Sequence, residues 1–503
     1  MQKLFDISKF DSYKEDNRRE VKKAKGGLPN DMWETYSAYA NTYGGVIILG
    51  VKELDDKHWK TTGLKVEDKE KLLDNLWNLL HNPNKVNVNL LSETDVQSYE
   101  MGEDIIIVIE VPMAKRSQKP VYINNDMFNG TYRRTYSGDY KCPRLQVKAM
   151  LRDQTENTVD MDVLDDAEMQ DLNSETIQGY RNRHRTLKAG HPFERLNDSD
   201  YLRNIGAAAI SKEDKKLHPT AAGMLMFGEE YNIVRHFPEY FLDYREMLDP
   251  TIRWTDRLQS SSGEWSGNVC DFYFRVYNKI IKDIKVPFRT KGGDRIDDTP
   301  VHEALREALA NCLINTDFYG VRGVVIRKEL DKLILENPGY IRTGKVQMRR
   351  GGESDPRNKA LMKMFNLINI GERAGSGVPN IFNVWEDEGW IEPVIEEQFD
   401  PDRTILSLEF KKKRQKKATE KKATEKSDRK KVTKKTQEQF DSILAHMNIG
   451  KWYKADEFMD VLGVKETRTK ELLRMLVEHD LIETNKETKG KCYRKINNSQ
   501  HFE

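Results

Sequence analysis

Three acidic residues and a lysine near the start of the chain could do chemistry together. Glu15 and Glu20 lie five residues apart, Lys22 follows closely, and Glu53 comes after an apolar segment. Carboxylates that converge from different segments can bind a divalent cation, which activates water and steadies a phosphate leaving group. The lysine would offset negative charge in the transition state. In a chain with 33% charged residues, the same side chains could instead form an ordinary solvated face.

A second group lies in the middle of the chain. Glu307 and Asn311 are four residues apart, and therefore on one face of a predicted helix. One side chain could orient water while the other binds a magnesium ion that bridges phosphates. A glycine-rich stretch at 371–377 precedes another predicted helix and offers backbone N–H groups to phosphate. Such pairs and loops also occur without a ligand, so both alternatives stay open.

The residues from 437 to 495 show the pattern helix, helix, helix and short hairpin. This pattern is typical of a winged helix-turn-helix, in which the third helix enters the major groove and the wing contacts the backbone. Winged helices also bind proteins, which is the alternative. The candidate nucleic-acid contacts are Lys465, Thr467, Arg468, Thr469 and Lys491.

The elements that must position the first group follow from the apolar pattern. Apolar residues at helical spacing predict a helix over 32–40, and a buried strand follows over 46–51. A second amphipathic helix is predicted over 72–80, and another strand over 105–111. This alternation predicts a compact α+β domain.

Charge divides the rest of the chain. The stretch 411–435 holds 14 Lys and Arg against 3 Asp and Glu, and residues 153–175 are acidic and polar. We therefore predict folded domains at 1–152, 160–410 and 436–497. The basic stretch between the last two is either a solvated linker or an arm that binds phosphates.

Cysteine usage and hydropathy indicate the cellular compartment of the protein. No apolar run approaches the length needed to cross a bilayer, and the first residues do not resemble a signal peptide. We therefore expect a cytoplasmic protein with reduced thiols and no membrane partner. The four cysteines lie far apart, without metal-ligand spacing: Cys142, Cys270, Cys312 and Cys492.

The stretch from Glu15 to Val51 closely resembles the AlbA-like domain shared by Schlafen proteins and many bacterial regulators. The resemblance rests on four motifs: Glu-x4-Glu-x-Lys, Gly-Gly-Leu-Pro (26–29), Ala-Tyr-Ala-Asn-Thr-x-Gly-Gly (38–45) and Leu-Gly-Val (49–51).

In nuclease-active Schlafens, two glutamates and a later acid bind metal and cut RNA, notably transfer RNA. The resemblance implies these roles for Glu15 and Glu20, with Lys22 as the motif lysine. The third acid is usually Asp in the family, but here that place holds Glu53, with Asp55 and Asp56 as fallbacks. A domain that keeps the motif but only binds nucleic acid is the alternative.

The segment 131–135 resembles the family's closing strand, which presents arginine near the site. Arg133 and Arg134 are therefore candidate phosphate contacts, or else surface charge on an edge strand. Schlafen nucleases bring two AlbA-like lobes together around RNA, and this chain shows one. We therefore expect a homo-oligomer, at least a dimer.

Residues 300–410 resemble the ATPase superfamily of gyrase, histidine kinases and MutL, in a divergent branch. The resemblance implies a central α/β sandwich that binds ATP with Mg²⁺. Because the Asp-x-Gly-x-Gly box is reduced to Glu-Asn-Pro-Gly, we expect nucleotide binding rather than hydrolysis, and no P-loop motif occurs. The implied site residues are Glu307 (acid), Asn311 (metal), Glu336, Asn337 and Gly339 (adenine), and Gly375 and Gly377 (phosphate lid).

The sequence thus predicts a multidomain α/β and α+β protein with two competing functions. The favoured one is a ribonuclease dependent on Mn²⁺ or Mg²⁺ that cuts structured RNA such as transfer RNA, with nucleotide-dependent regulation. The alternative is a DNA-binding transcriptional regulator whose other domains sense ligand or assemble the oligomer. An antiviral role such as phage defence fits the first architecture, although no residue shows it.

Overall fold

The computed structural model forms two compact units, Met1–Lys413 and Arg414–Glu503. Most of the predicted basic linker, the glycine-loop residues 372–374 and the wing residues 489–490 lie outside the described residues. No helix in the described part is long and apolar enough to cross a membrane. The structure describes residues 4–155, 157–282, 290–291, 294–295, 298–371, 375–399, 401–412, 434–448, 451–478, 482–485 and 491–495.

The N-terminal part of the first unit is built on a four-stranded sheet in the order β1-β2-β6-β5, in which β1 runs parallel to β2. Two hairpins, β3–β4 and β7–β8, and three helices complete it. The strands are β1 (Arg19–Lys22), β2 (Gly45–Leu49), β3 (Val51–Glu53), β4 (Trp59–Thr61), β5 (Val96–Met101), β6 (Asp104–Val111), β7 (Tyr132–Thr135) and β8 (Gly138–Lys141); the helices are α1 (Met32–Asn41), α2 (Val66–Leu80) and α3 (Arg144–Gln154).

Both faces of this sheet are covered, which explains why β2 is apolar along its whole length. Ile47 packs with α1 and α2 on one face, while Ile48 packs with Phe10 and Trp59 on the other. The chain turns from α1 into β2 at Gly44, where φ is +71° and a Cβ would lie 2.8 Å from a backbone oxygen. The two helices and two strands predicted from periodicity are confirmed.

The central part carries a six-stranded mixed sheet in the order β12-β11-β15-β16-β18-β17, with helices packed around it. Whether it is a gyrase-like sandwich stays a prediction. The strands are β9 (Ala208–Ile210), β10 (Leu217–Pro219), β11 (Leu242–Met247), β12 (Asp256–Gln259), β13 (Thr290–Lys291), β14 (Asp294–Arg295), β15 (Val324–Glu329), β16 (Lys332–Pro338), β17 (Val394–Phe399) and β18 (Asp402–Glu409). The helices are α4 (Ser174–Leu187), α5 (Asp198–Ile205), α6 (Ala221–Phe227), α7 (Glu230–His236), α8 (Val269–Ile281), α9 (Pro300–Ile314), α10 (Lys345–Arg350), α11 (Lys359–Leu367) and α12 (Gly377–Asp387).

The acidic stretch that predicted a boundary contains buried carboxylates. Asp160 accepts hydrogen bonds from the backbone N–H groups of Ala360 (2.8 Å) and Leu361 (3.0 Å) at the start of α11. Asp153 forms an ion pair with Arg357, and both side chains are buried. Asp153 therefore joins the N-terminal part to the central part, Asp160 ties the predicted boundary segment to α11, and the domain bounds stay a prediction.

A buried ion pair also joins the two parts directly. The Arg133 guanidinium on β7 lies 2.7 Å from an Asp402 carboxylate oxygen at the start of β18. It also lies over the rings of Phe399 (4.5 Å) and Tyr340 (5.3 Å). Burial alone would lower the pKa of Arg133, but the charge and hydrogen bond of Asp402, together with smaller contributions from Cys142 and Tyr340, raise that pKa overall.

The second unit contains three helices and a three-stranded antiparallel sheet in the order β19-β21-β20. Its core includes Phe440, Phe458, Leu472 and Tyr493. The three helices and the final hairpin follow the predicted order, but the additional strand β19 between the first two helices was not predicted, and the winged-helix assignment stays a prediction. The elements are α13 (Lys434–His446), β19 (Tyr453–Lys454), α14 (Glu457–Leu462), α15 (Glu466–Glu478), β20 (Ile482–Thr484) and β21 (Cys492–Lys495).

We predict that Asp402→Asn destabilises the first unit by about 3–5 kcal/mol, because it leaves the buried Arg133 guanidinium without its counter-charge. The double variant Arg133→Met, Asp402→Leu should recover much of this loss. The denaturation midpoint of the full chain in urea measures both effects.

The matched control is Asp331→Asn, which breaks an exposed pair with Lys411. It should leave the midpoint nearly unchanged. A midpoint for Asp402→Asn equal to that of the control would contradict a stabilising role for the buried pair.

Candidate functional site

The elements of the N-terminal part bring the predicted acids to one edge of the sheet. Glu20 and Lys22 lie on one face of β1 because strand residues alternate, while Val21 between them packs into the core. Glu53 ends β3, and β3 continues from β2, the strand that pairs with β1. Glu15 lies in the segment that leads into β1.

Hydrogen bonds lock two of these acids together. A carboxylate oxygen of Glu53 accepts from the backbone N–H of Glu15 at 2.6 Å, and a carboxylate oxygen of Glu15 accepts from the Val21 N–H at 3.2 Å. The fallback Asp55 is exposed, and Asp56 accepts from the His58 N–H within its own turn. The geometry therefore favours Glu53 as the third acid.

Cations already surround Glu20. One carboxylate oxygen lies 3.0 Å from the Lys22 ammonium, which also lies 2.6 Å from Asp31. The other oxygen lies 2.7 Å from the Arg134 guanidinium, which also pairs with Asp139 at 2.8 Å. Lys22 is thus shared between two carboxylates, and so is Arg134.

The charge balance differs across the cluster. Burial and the charge of Glu20 raise the pKa of Glu15 above its ordinary 4.5, and Glu53 adds to this while the Val21 N–H opposes it. Burial alone would raise the pKa of Glu53, but hydrogen bonds from the Glu15 N–H and from Lys57, with the charge of Lys57 and a smaller contribution from Trp59, together lower that pKa. Negative charge is therefore least compensated at Glu15.

This donor set fits a divalent cation. Glu15 and Glu53 could hold it together, and Glu20 could join them if it exchanged Lys22 or Arg134 for the cation. Among the residues that the structure describes, no three His, Cys, Asp or Glu side chains are already arranged as metal ligands. The metal site stays a prediction, and Glu15 is its most electrostatically favourable position.

Both arginines predicted to contact phosphate are buried. Arg134 faces Glu20 and Asp139 inside the cluster, and its side chain is only 2% exposed. Arg133 faces the opposite side of β7, where it pairs with Asp402. The structure therefore places neither guanidinium where it could meet a nucleic-acid backbone, because each is already paired with carboxylates.

The central part contains a cavity of about 140 Å³, and part of its wall comes from α9 and α12. Glu307, Asn311, Asn337, Gly375 and Gly377 line it, as the sequence predicts for a nucleotide site. The Asn311 amide donates to Glu307 at 2.9 Å. A larger cavity of about 600 Å³ shares Glu307 and Gly377 with the first.

Glycine at position 377 leaves room for the Glu307 carboxylate, which packs against it. A Cβ at this position would lie 1.8 Å from a Glu307 oxygen. The close packing of α9 against the start of α12 thus fixes where this carboxylate sits between the two cavities.

Two predicted adenine-site residues do not line this cavity. Glu336 pairs with Arg327 at 2.7 Å, whereas Leu335 and Asn337 line the cavity, because neighbouring residues of β16 face opposite sides of the sheet. Gly339 supports the wall instead, since a Cβ there would lie 2.9 Å from the Arg357 guanidinium. Of the Glu-Asn-Pro-Gly motif, Asn337 is the member that faces the cavity.

Sequence reasoning missed several residues of both sites. Asp139 could have been found, since a tight hairpin places it directly opposite Arg134. Asp31 beside Lys22 and the cavity residues Tyr340 and Arg342 lie close in sequence to predicted site residues, but no motif or spacing distinguishes them from their neighbours.

In the C-terminal unit, Lys465 and Thr467 are exposed at the start of α15. Arg468 pairs with Glu471, and Thr469 is buried, so neither is a free contact. The Lys491 ammonium lies 5.8 Å from the centre of the Tyr493 ring. Lys465 and Thr467 are the candidates best placed to meet a partner.

Profiles of known families match three segments of the first unit. Residues 12–143 match the family described as "Schlafen, AlbA_2", and residues 322–405 match "Putative ATP-dependent DNA helicase recG C-terminal". The chain carries a Schlafen AlbA_2 domain and a RecG-like domain. Residues 148–243, between these two domains, match a domain of unknown function. The AlbA_2 and RecG-like domains mark a nucleic-acid-related protein.

Two solved structures are similar over different lengths. The DIP2311 protein from Corynebacterium diphtheriae is 16% identical over 96% of this chain and 92% of its own, with a TM-score of 0.40. The N-terminal domain of a putative ATP-dependent DNA helicase RecG-related protein from Nitrosomonas europaea is 28% identical over 27% of this chain and 90% of its own, with a TM-score of 0.21. No curated protein sequence matches the chain. The domain assignments therefore rest on the family profiles.

We predict that Glu15→Gln in the AlbA_2 domain raises the thermal midpoint at pH 7 by about 2 °C, because it removes the least compensated charge of the cluster. The folded-state pKa of Glu15 is raised, so its ionisation opposes folding at neutral pH. The gain should vanish as pH falls below 4.5, where the carboxyl is protonated in both states.

Calorimetry of the full chain between pH 4 and pH 8 measures this difference. Mn²⁺ should then raise the midpoint of the wild type more than that of the variant. If the variant is less stable than the wild type at pH 7, the ionised Glu15 carboxylate stabilises the fold, and the prediction is wrong.

Proposed function

We propose that this chain is a metal-dependent endoribonuclease whose AlbA_2 domain cuts structured RNA such as transfer RNA. The observation that carries the proposal is the direct hydrogen bond between Glu53 and the Glu15 backbone, beside Glu20 and Lys22. Separate segments of the chain are thereby held together at one sheet edge, with carboxylates and a cation of the types that phosphodiester hydrolysis requires.

Each residue has a distinct task in this mechanism. Glu15 and Glu53 would hold the divalent cation, which when bound would supply an activated water and offset the charge of the scissile phosphate. Lys22 lies next to Glu20 and supplies positive charge as negative charge grows on the phosphate oxygens. Arg134 is buried behind Glu20 and keeps its carboxylate oriented.

A second candidate function is DNA binding by a transcriptional regulator. The exposure of Lys465 and Thr467 at the start of α15 favours it, since a recognition helix contacts bases through its first residues. Such a protein would bind duplex DNA without divalent metal, which distinguishes it from the nuclease.

The nuclease proposal predicts that Glu15→Gln and Glu53→Gln each lower the rate of cleavage of labelled transfer RNA by about 100-fold or more. Gel analysis of the products in the presence of Mn²⁺ measures the rate. Glutamine keeps the hydrogen-bond acceptor but removes the charge, so folding should be preserved.

Asp55→Asn is the matched control, because Asp55 lies two residues from Glu53 and is exposed. Its rate should equal that of the wild type. Equal rates for all four proteins, or cleavage by none, would exclude these acids as the catalytic site.

For the RecG-like domain, we propose that the cavity between α9 and α12 binds ATP with Mg²⁺, and that Asn311 contributes to holding the metal. ATP and Mg²⁺ should raise the thermal midpoint of the wild type by several degrees at saturation. Gly377→Ala should abolish the shift, because its methyl group displaces Glu307 and breaks the bond to Asn311.

Gly179→Ala is the control for this experiment. Gly179 lies inside α4, and nothing lies within 4 Å of the Cβ that the substitution adds. Its nucleotide-dependent shift should match that of the wild type. No shift in the wild type at millimolar ATP would rule out nucleotide binding.

A further inference from the structure

The β7–β8 hairpin of the AlbA_2 domain exposes two aromatic rings. Tyr136 at its tip is 88% exposed and Tyr140 on β8 is 61% exposed. Most other tyrosines of this domain are largely covered, and Tyr36 and Tyr39 are fully buried. Exposed aromatic rings on a nucleic-acid-related domain are candidates for contact with bases.

The Tyr140 ring packs against Gly138. A Cβ at Gly138 would lie 2.8 Å from one ring carbon and 3.0 Å from the next, so the ring packs directly against the glycine. The backbone of Gly138 thus supports one side of the ring while more than half of the side chain stays in solvent. This arrangement holds the ring in place before any ligand arrives, which lowers the entropy cost of stacking.

Tyr136 occupies an unfavourable backbone conformation. Its φ is +57°, in the left-handed region that glycine and asparagine favour in two-residue hairpin loops. The two-residue turn between β7 and β8 requires this conformation, and the Tyr136 side chain at the tip is left in solvent.

The hairpin is tied to the candidate active site. Asp139 pairs across the hairpin with Arg134, and Arg134 in turn pairs with Glu20. Tyr140 is the next residue after Asp139, and the exposed Lys141 follows it. The two rings therefore belong to the hairpin whose Arg134 and Asp139 face Glu20, while alternation puts the Tyr140 ring on the other side, with Arg133.

We propose that Tyr136 and Tyr140 form a stacking platform for unpaired bases of a nucleic-acid strand. The proposal rests on the proposed function and narrows its substrate to single-stranded segments and loops. In a continuous duplex each base face is covered by its neighbours, whereas an unpaired base can stack on an aromatic ring whatever its sequence. Lys141 lies on the opposite face of β8 from Tyr140, and its exposed charge adds to the electrostatic attraction of the hairpin for backbone phosphates.

The test measures the affinity of the full-length Glu15→Gln protein for a labelled oligouridine of about 12 nucleotides by fluorescence anisotropy, in EDTA. Adding Tyr136→Ala or Tyr140→Ala to this background should weaken binding about tenfold each. Tyr140→Trp should bind as tightly as the parent, because indole also stacks. A fully paired RNA of the same length should bind more weakly and respond little to these substitutions.

Two controls separate stacking from other effects. Tyr231→Ala removes an equally exposed ring (65%) from α7 in the central part and should leave the affinity unchanged. Lys141→Ala should reduce the salt dependence of binding, while the tyrosine variants should keep the parent slope.

Unchanged affinity in both tyrosine variants, or equal affinity for single strand and duplex, would overturn the platform. So would the absence of any binding by the parent protein. The outcome is separable from the nuclease proposal, because binding is measured without metal in a protein that cannot cut. If the wild type fails to cleave with Mn²⁺ but the tyrosines still control affinity, the nuclease is excluded and the platform stands.

Discussion

A guanidinium removed from water needs its acceptors close by, and Arg134 has three within 2.9 Å. They are the carboxylates of Glu20 and Asp139 and the backbone oxygen of Asp16. Asp139 also accepts from Thr35 on α1 at 2.6 Å. One side chain therefore determines where β1, β8 and α1 meet, and through Glu20 it orients the candidate active site.

The N-terminal elements could be predicted because their apolar residues recur at the spacing of a helix or fill both faces of a strand. The proximity of Glu15 and Glu53 was predicted from a family resemblance, and the structure brings them together. The burial of Arg133 could not be predicted, because its partner Asp402 lies 269 residues away along the chain. Two adjacent arginines on a strand look like surface charge until both partners are known.

In the central part, the sequence could not show which side chains are buried or face the cavity. Alternation along β16 means that either Glu336 or Asn337 faces the cavity, but which one depends on where α9 and α12 pack. The stretch from 153 to 175 has the composition of a solvated boundary, yet Asp160 is buried at the start of α11. Its carboxylate accepts hydrogen bonds from N–H groups about 200 residues away. The composition of the stretch cannot predict so distant a partner.

The Arg133–Asp402 pair limits how the AlbA_2 domain could be transferred to another protein. An AlbA_2 domain cut from this chain would expose a face that carries an uncompensated guanidinium and the nearly buried ammonium of Lys119. Grafting it onto another protein would require an acid in the place of Asp402 and aromatic rings in the places of Phe399 and Tyr340. In this chain the two domains therefore depend on each other for burial and charge balance at their shared face.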